Sequence, residues 1–375
     1  MRILVVNAGS SSLKLSVLDD ADRSLASETV DAPVGRIDDG ALRAAISANV
    51  PLDAVGHRIV HGGTEFTEPV LVDARVRRRL EALTDLAPLH QPKSLRGLDL
   101  VSSLLPDVPA IACFDTAFHA HIPAAAATYA LPPEWRHRWD LRRFGFHGLS
   151  HAYASRRAAE LTGGRLEDLR VVTCHLGAGA SLAAVRGGIS VDTTMGFTPQ
   201  EGLVMATRSG SVDPGLLLWL EEHVGMPPSE LATTLEHRSG LLGICGSSDM
   251  RVILPAEAGG DADSALAIGV YLHRLRAGIA SMAAAMDGLD TLVFTGGVGE
   301  HAPAIRWRAA EGLGFLGVAL DAAANEGGSG DREIGAGGSA VRALVVEARE
   351  DVEIARGVRQ VLAAGGERVG GTVAG

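Results

Sequence analysis

At 375 residues the chain exceeds what one ordinary hydrophobic core supports, so two domains are expected. An apolar fraction of 46% against 21% charged residues is a globular balance and excludes a disordered scaffold. A formal net charge of -11 excludes broad binding to nucleic acid or to an anionic membrane, since both need a basic surface. Any anionic ligand must therefore be held by locally placed arginines. Cys113, Cys174 and Cys245 are odd in number, far apart and each beside an apolar run, which reads as reduced, partly buried thiols of a cytoplasmic protein. The N-terminal residues carry no secretory pattern, and no apolar run approaches the roughly 20 residues of a membrane span.

Ile3 to Leu18, ILVVNAGSSSLKLSVL, predicts a strand, a polar turn and a second strand: Ile3 to Val6 is continuously apolar, and Leu13, Leu15 and Val17 alternate with small or polar residues. Between them Asn7, Gly9, Ser10, Ser11, Ser12 and Lys14 supply close backbone approach, hydroxyl donors and a point charge, the chemistry of an anion loop. The same residues also suit an ordinary hairpin turn. Residues 19–50 read as a variable surface connection with a short helix near Ala41 to Ala48. Ala54 to Gly63 is strand-like and sets Arg58 among apolar neighbours, where an unpaired charge is costly, so Arg58 is expected to face a cleft. His57 and His61 are out of register for one ion on a strand and read as structural. A helix is expected over Val76 to Leu86, with Arg77, Arg78 and Arg79 as a solvated face. Pro88 and Pro92 make a rigid turn that fixes His90 ahead of a helix over Lys93 to Leu105.

Ala110 to Phe114 predicts a buried strand ending at Asp115, a place where α/β sheets meet ligands, although a helix-capping role suits the same residue. Gly145 and Gly148 flank Phe146 and His147, which suggests a tight approach before a helix over His151 to Leu161. Arg170 to Val185, RVVTCHLGAGASLAAV, then repeats the opening design: strand, glycine-rich turn with Ser181, strand. One Gly-x-Gly is a weak signal, but two such hairpins, one opening each half, are far more specific. Arg208 lies in a turn of small residues, helices are expected over Leu216–His223, Ser229–His237 and Ala262–Met286, and Thr295 to Glu300 forms a third glycine-rich turn after a strand.

In order along the chain, NAGSSSLK, GHRIVHGG, PLHQP, FDTAFH, FGFHG, HLGAGASLAAV, MGFTPQEG, ATRSGSVDP, SSDMR and FTGGVGEH resemble the acetate kinase family, within the superfamily of acetate and sugar kinases, heat-shock cognates and actin. The likeness runs in register from Met1 to about Gln360. It implies an α/β fold of two duplicated ribonuclease-H-like (actin-like ATPase) domains with the active-site cleft between them. Residues 1–150 with a C-terminal helix over 352–365 would form the first, 151–351 the nucleotide-binding second, and 366–375 a flexible tail. The implied activity is reversible phosphoryl transfer from ATP to acetate, giving acetyl phosphate and ADP, with Mg2+ or Mn2+, by a homodimer. Propionate or butyrate kinases, pyrophosphate-dependent acetate kinases and nucleotide-driven switch proteins of the same fold are the alternatives.

Carried over residue by residue, the resemblance implies Asp115, Arg58, Arg208, His147 and His90 as catalytic and Asn7 with Glu350 at the metal. It implies Ser10, Ser12, Lys14, His175, Gly177 and Gly179 with Asn7 around the phosphates, and Asp249, Met250, Arg251, Gly296, Gly297 and Gly299 around the adenosine. Val60, Leu89, Phe146 and Pro199, with Arg58, align with the acetate pocket. Four positions depart from the usual pattern: Ala178 and Ala180 replace an amide and a hydroxyl in the second loop, His301 stands for Asn, and Arg349 replaces the Asn before the metal-linked glutamate. Charge alone rationalises the set, because moving a phosphoryl group onto a carboxylate brings anions together and calls for a divalent cation and arginines at the equatorial oxygens. A carboxylate nucleophile is ionised at neutral pH and needs no base, which makes His147 a phosphoryl-positioning donor.

Overall fold

The computed structural model describes residues 1–8, 12–31, 38–88 and 90–370, with side chains to Gly365. Ser10 and Leu89 lie outside the described residues. The chain divides into two units, one comprising Met1–Ala120, Gly148–Tyr153 and Arg349–Gly375, the other His121–His147 and Ala154–Ala348.

In the first unit, β1 (Ile3–Ala8), β2 (Ser12–Leu18), β3 (Ser24–Asp31), β4 (Ala54–Ile59), β5 (Val70–Leu71) and β6 (Ala110–Phe114) form a sheet in the order β3-β2-β1-β4-β6-β5. β1 to β3 are an antiparallel meander, whereas β1, β4 and β6 run parallel. Parallel strands are covered on both faces, which is why Ile3 to Val6 can be apolar without alternation. Leu4, Val6, Leu13 and Val17 pack with Leu42 and Ile46 of helix Asp39–Ser47 and Val101 of helix Gln91–Leu104. Ile3, Val5, Leu18 and Ile111 pack on the other face with Val352, Ile354 and Val358 of helix Glu350–Gly370. Gly56 permits that packing, since a Cβ there would lie 2.5 Å from Ile354 Cγ2 and 2.8 Å from Val358 Cγ2.

In the second unit, β7 (Arg170–Leu176), β8 (Ala180–Arg186), β9 (Ile189–Thr193), β10 (Thr291–Thr295), β11 (Arg332–Glu333) and β12 (Arg342–Val345) pair in the order β11-β12-β10-β7-β8-β9. β7 to β9 are antiparallel, β7, β10 and β12 parallel, and β11 a short antiparallel edge. Strand for strand this is the plan of the first unit, so the duplication expected from two similar hairpins is a property of the whole topology. Helix Ala262–Ala285 covers this sheet through Ile268, Leu272, Leu275 and Ile279.

Several expectations need correction. Residues 19–50 contain β3, whose SLASETVD lacks apolar alternation because, among its side chains, Val30 alone is buried on an edge strand. The strand from Ala54 stops at Ile59, the helix after His147 starts at Gly148, and the third glycine-rich turn is a short helix, Gly296–His301. His121–His147, read with the first domain, fall in the second unit, where Phe144 and Gly145 donate their amides to Gly196 O and Arg143 reaches Thr194 O. The last helix runs on to Gly370, through residues read as the start of a tail. Among the described residues no helix is long and apolar enough to cross a membrane.

Candidate active site

Because β1, β4 and β6 are parallel neighbours, their C-terminal ends lie side by side, with Val6 opposite His57 and Arg58 opposite Cys113. The next residues along β1 and after β6 are Asn7 and Asp115, so three strand ends deliver Asn7, Arg58 and Asp115 to one place, the ligand edge of an α/β sheet. Arg58 donates from Nε to Asp115 Oδ1 at 2.9 Å and from Nη2 to Oδ2 at 2.6 Å, a bidentate pair. Its Nη1 donates to Asn7 Oδ1 at 3.0 Å and lies 3.7 Å from Glu350 Oε2, while Asn7 Nδ2 donates to the same Oε2 at 2.7 Å. Burial works against the Arg58 charge, but the Asp115 and Glu350 carboxylates outweigh it and hold the guanidinium above its ordinary value. Burial pushes the Asp115 carboxyl up against the downward pull of Arg58. Arg58 is thus a paired cation within a four-residue network, and Asp115 holds it instead of capping a helix.

Glu350 opens helix Glu350–Gly370, and its neighbour Asp351 is taken by Arg349, which donates from Nε at 2.9 Å. Of two adjacent carboxylates, Glu350 is therefore the one that joins Asn7 and Arg58. Among the described residues no group of three His, Cys, Asp or Glu side chains could hold a metal alone. Two carboxylates and an amide fit a hard cation such as Mg2+ or Mn2+, which keeps waters and takes further ligands from substrate phosphates.

Two neighbouring histidines, His57 and His61, are buried. His57 is 1% exposed, neither ring nitrogen finds a partner among the described residues, and burial pushes its imidazole down to about 3, so it is neutral. His61 accepts from Gly63 N at Nδ1, and burial pushes it down to about 4. Val60 between them is buried. His90 begins helix Gln91–Leu104, and Gln91 Nε2 donates to His61 O. Ser12 starts β2, and Lys14 is exposed on it.

The second unit assembles its own cluster. β7 and β10 are parallel with Thr295 opposite His175, so the turns that follow them emerge together, and a Cβ on Gly177 would come 4.0 Å from Gly297 N. Gly296 takes φ of +76° and has Leu176 O where a Cβ would sit, at 2.8 Å, so a side chain is excluded twice over. Gly177 N donates to Gly179 O at 2.9 Å, and the amides of Ala178 and Gly179 have no partner among the described residues. His147 adopts a left-handed φ of 55°, shares a 2.9 Å hydrogen bond between Nδ1 and Ser181 Oγ, and sets its ring 4.2 Å from that of His175. A Cβ on Gly179 would lie 3.2 Å from His147 Cε1 and 3.5 Å from Arg208 Nη1, which puts the histidine and the arginine against the second loop. Arg208 donates from Nη1 to Pro199 O at 2.8 Å, makes no ion pair among the described residues, and is lowered by burial. A half-buried cation that makes no ion pair among the described residues, with only the more distant Glu236 carboxylate opposing its desolvation, can receive an anion. Phe146, just before His147, is 1% exposed.

Asp249 and Arg251 look first to each other: Asp249 caps helix Met250–Ala258 and takes Arg251 Nη2 at 2.7 Å, which holds its carboxyl down to about 2. Met250 is buried, and His301 is exposed. Sequence reading missed Arg306, which is 1% exposed and donates from Nη1 to the carbonyls of Gly299 at 2.9 Å and Glu300 at 2.8 Å, pinning the third glycine segment from behind. Burial pushes it down to about 10. It also missed Tyr129, Arg143 and Glu201; the short interval between the Arg142-Arg143 pair and Phe146-His147 was the available signal.

The acetokinase family profile matches residues 37–356. The acetate kinase of Gloeobacter violaceus is 50% identical over 307 residues, covering 81% of this chain and 76% of that one. The crystal structure of Porphyromonas gingivalis acetate kinase superposes with a TM-score of 0.89 at 36% identity, over 96% of this chain and 99% of that one. That of a propionate kinase from Francisella tularensis gives 0.87 at 34% identity, over 95% and 98%. With the duplicated topology and the paired arginine clusters, a match of this extent makes the chain a member of the acetokinase family.

Proposed function

We propose that the protein catalyses reversible transfer of the γ-phosphoryl group of ATP to acetate. An acetate oxygen forms a bond to the γ phosphorus as the bond to the β–γ bridging oxygen breaks, giving acetyl phosphate and ADP. The observation that carries this reading is Arg208: a half-buried guanidinium that makes no ion pair among the described residues and lies against a glycine loop and His147. Acetate is ionised at neutral pH, about three units above the reference value of a carboxyl, so no residue need act as base. Arg58, steadied by Asp115, and Arg208 would stabilise the equatorial oxygens as charge spreads over them. If the Ser181 hydroxyl donates to His147 Nδ1, Nε2 carries the proton and can donate to the same oxygens. His90 would be a further donor.

Mg2+ or Mn2+, held by Glu350 and Asn7, would neutralise the β and γ phosphate oxygens. Ser10, Ser12 and Lys14 in one hairpin, and His175, Gly177 and Gly179 in the other, would hold phosphate. Gly296, Gly297 and Gly299 with Asp249, Met250 and Arg251 would hold the adenosine. Val60, Leu89, Phe146 and Pro199 would line the methyl pocket. ATP remains the donor despite Ala178 and Ala180, because the amides of Ala178 and Gly179 supply the contacts that side chains do not. A panel of ATP, GTP and pyrophosphate against acetate and propionate tests this. The expected order puts ATP first and acetate about ten- to two-hundredfold above propionate in kcat/KM, the value of one crowded methylene. A preference for pyrophosphate would show that the altered loop has changed the donor, and a preference for propionate that the pocket walls are misassigned.

The same reading includes a homodimer. Helix Pro214–Val224 buries none of its residues and exposes Leu216, Leu218, Trp219 and Val224 by 48 to 56%, an apolar surface suited to a second copy. Sedimentation is expected to give twice the 38.9 kDa chain mass, and Trp219→Glu to shift it to one chain; a wild-type monomer at micromolar concentration removes the proposal. ATP supply and the unpaired thiols of Cys113 and Cys174 suit the cytoplasm, and recovery in a membrane or secreted fraction would argue against it.

A further inference from the structure

Residues 194–202 carry Pro199, whose carbonyl holds Arg208, and Gly196, whose carbonyl accepts from Phe144 N at 3.0 Å and Gly145 N at 3.2 Å just before Phe146 and His147. This one loop thus sets both the arginine and the strap that bears the histidine. Its own position is fixed by a partly buried charged cluster. Glu201 Oε1 accepts from Arg143 Nη2 at 2.7 Å and Oε2 from the Tyr129 hydroxyl at 2.6 Å. Tyr129 Oη accepts in turn from Phe197 N at 2.9 Å, and Arg143 Nη1 donates to Thr194 O at 3.2 Å and Met195 O at 3.1 Å. The Arg143 guanidinium also lies 5.6 Å from the centre of the Tyr129 ring. Glu201 Oε2 and the Tyr129 hydroxyl occupy the space a Cβ on Gly196 would need, so the loop packs against the cluster only with glycine at this position.

We propose that Glu201, clamped between Tyr129 and Arg143, is a positioning residue for phosphoryl transfer, holding the loop that places Pro199 and Arg208 on one side and Phe146 and His147 on the other. None of the three cluster residues need touch a reacting atom. A partly buried ion pair contributes little net stability but can fix geometry, and here Arg143 holds the backbone carbonyls of Thr194 and Met195 in the loop that carries Pro199. The groups it sets serve acetate and the transferring phosphoryl, whereas the adenosine glycines hang on Arg306 and Asn325. Loss of the clamp should therefore divide the kinetic constants between the two substrates.

The inference rests on the acetate kinase reading. Its test is steady-state kinetics of Glu201→Gln and Tyr129→Phe, each removing one hydrogen bond of the clamp, with circular dichroism to verify folding. The expected result is a fall in kcat/KM for acetate of up to about 10²-fold, the scale for a misplaced catalytic group, composed of lower kcat and higher acetate KM with the KM for ATP unchanged. Tyr129→Phe keeps the Arg143 to Glu201 pair and should fall less than Glu201→Gln. Unchanged kinetics in both folded variants, or an equal loss toward both substrates, overturns the proposal. If Glu201→Gln does not fold, Tyr129→Phe decides on the same criterion. Failure of the wild type to form acetyl phosphate would instead sink the underlying reading, so the two failures are distinguishable.

Discussion

Arg208→Ala is expected to lower kcat by about 10³-fold, the scale for losing an arginine that stabilises a transferring phosphoryl group, with little change in the KM for ATP. The fold should tolerate it. Arg208 forms no ion pair among the described residues and donates to the Pro199 carbonyl and the Met205 sulfur, so its removal strands no paired carboxylate. Burial lowers its pKa against the opposing pull of Glu236, so an anion bound beside it would favour the charged form. An interaction realised mainly in the transition state appears in kcat and not in nucleotide binding. Near-normal turnover in a folded Arg208→Ala enzyme would falsify the role. Lysine should rescue it poorly, because a point charge cannot both keep the Pro199 carbonyl and present a planar fork.

Arg58→Ala should lower kcat on the same scale but with a second, structural signature. Asp115 is 2% exposed and receives two hydrogen bonds from Arg58, so the variant leaves a buried carboxylate without its cation, a loss of about 3–5 kcal/mol in folding stability. Pairing the change with Asp115→Asn should return most of the stability, measured by denaturant unfolding, while turnover stays low. Recovery of turnover in that double variant would mean that Arg58 acts only to neutralise Asp115. The contrast between the two arginines is itself diagnostic: Arg58 is paired with two carboxylates, whereas Arg208 makes no ion pair among the described residues.

Sequence reading reached the site mainly where short blocks sit at strand ends. Asn7, Arg58 and Asp115 were each singled out separately, and parallel pairing of β1, β4 and β6 explains why residues 51 and 57 positions apart in sequence share hydrogen bonds. What stayed hidden was whatever depends on partners. Nothing local says that Arg58 is answered by Asp115 and Glu350, or that Asp351 is diverted by Arg349, since those bonds form across folded distances. β3 was invisible because an edge strand with solvent on most of its side chains carries no apolar period. Arg306 and Glu201 were missed for the opposite reason: burial turns Arg306 into a backbone clamp and distant partners tie down Glu201, and composition reports neither burial nor partners. The third glycine segment reads as a turn by composition, yet it forms a short helix whose Gly299 and Glu300 carbonyls accept from Arg306.

The central claim is that a phosphoryl group reaches acetate, and the most direct test counts it. Wild-type protein with ATP, Mg2+ and acetate in the presence of hydroxylamine should yield acetyl hydroxamate in equal amount to the ADP released, with both products absent when acetate is omitted. ADP released at the same rate with or without acetate, and no hydroxamate, would contradict the account and leave a nucleotide switch on the same fold.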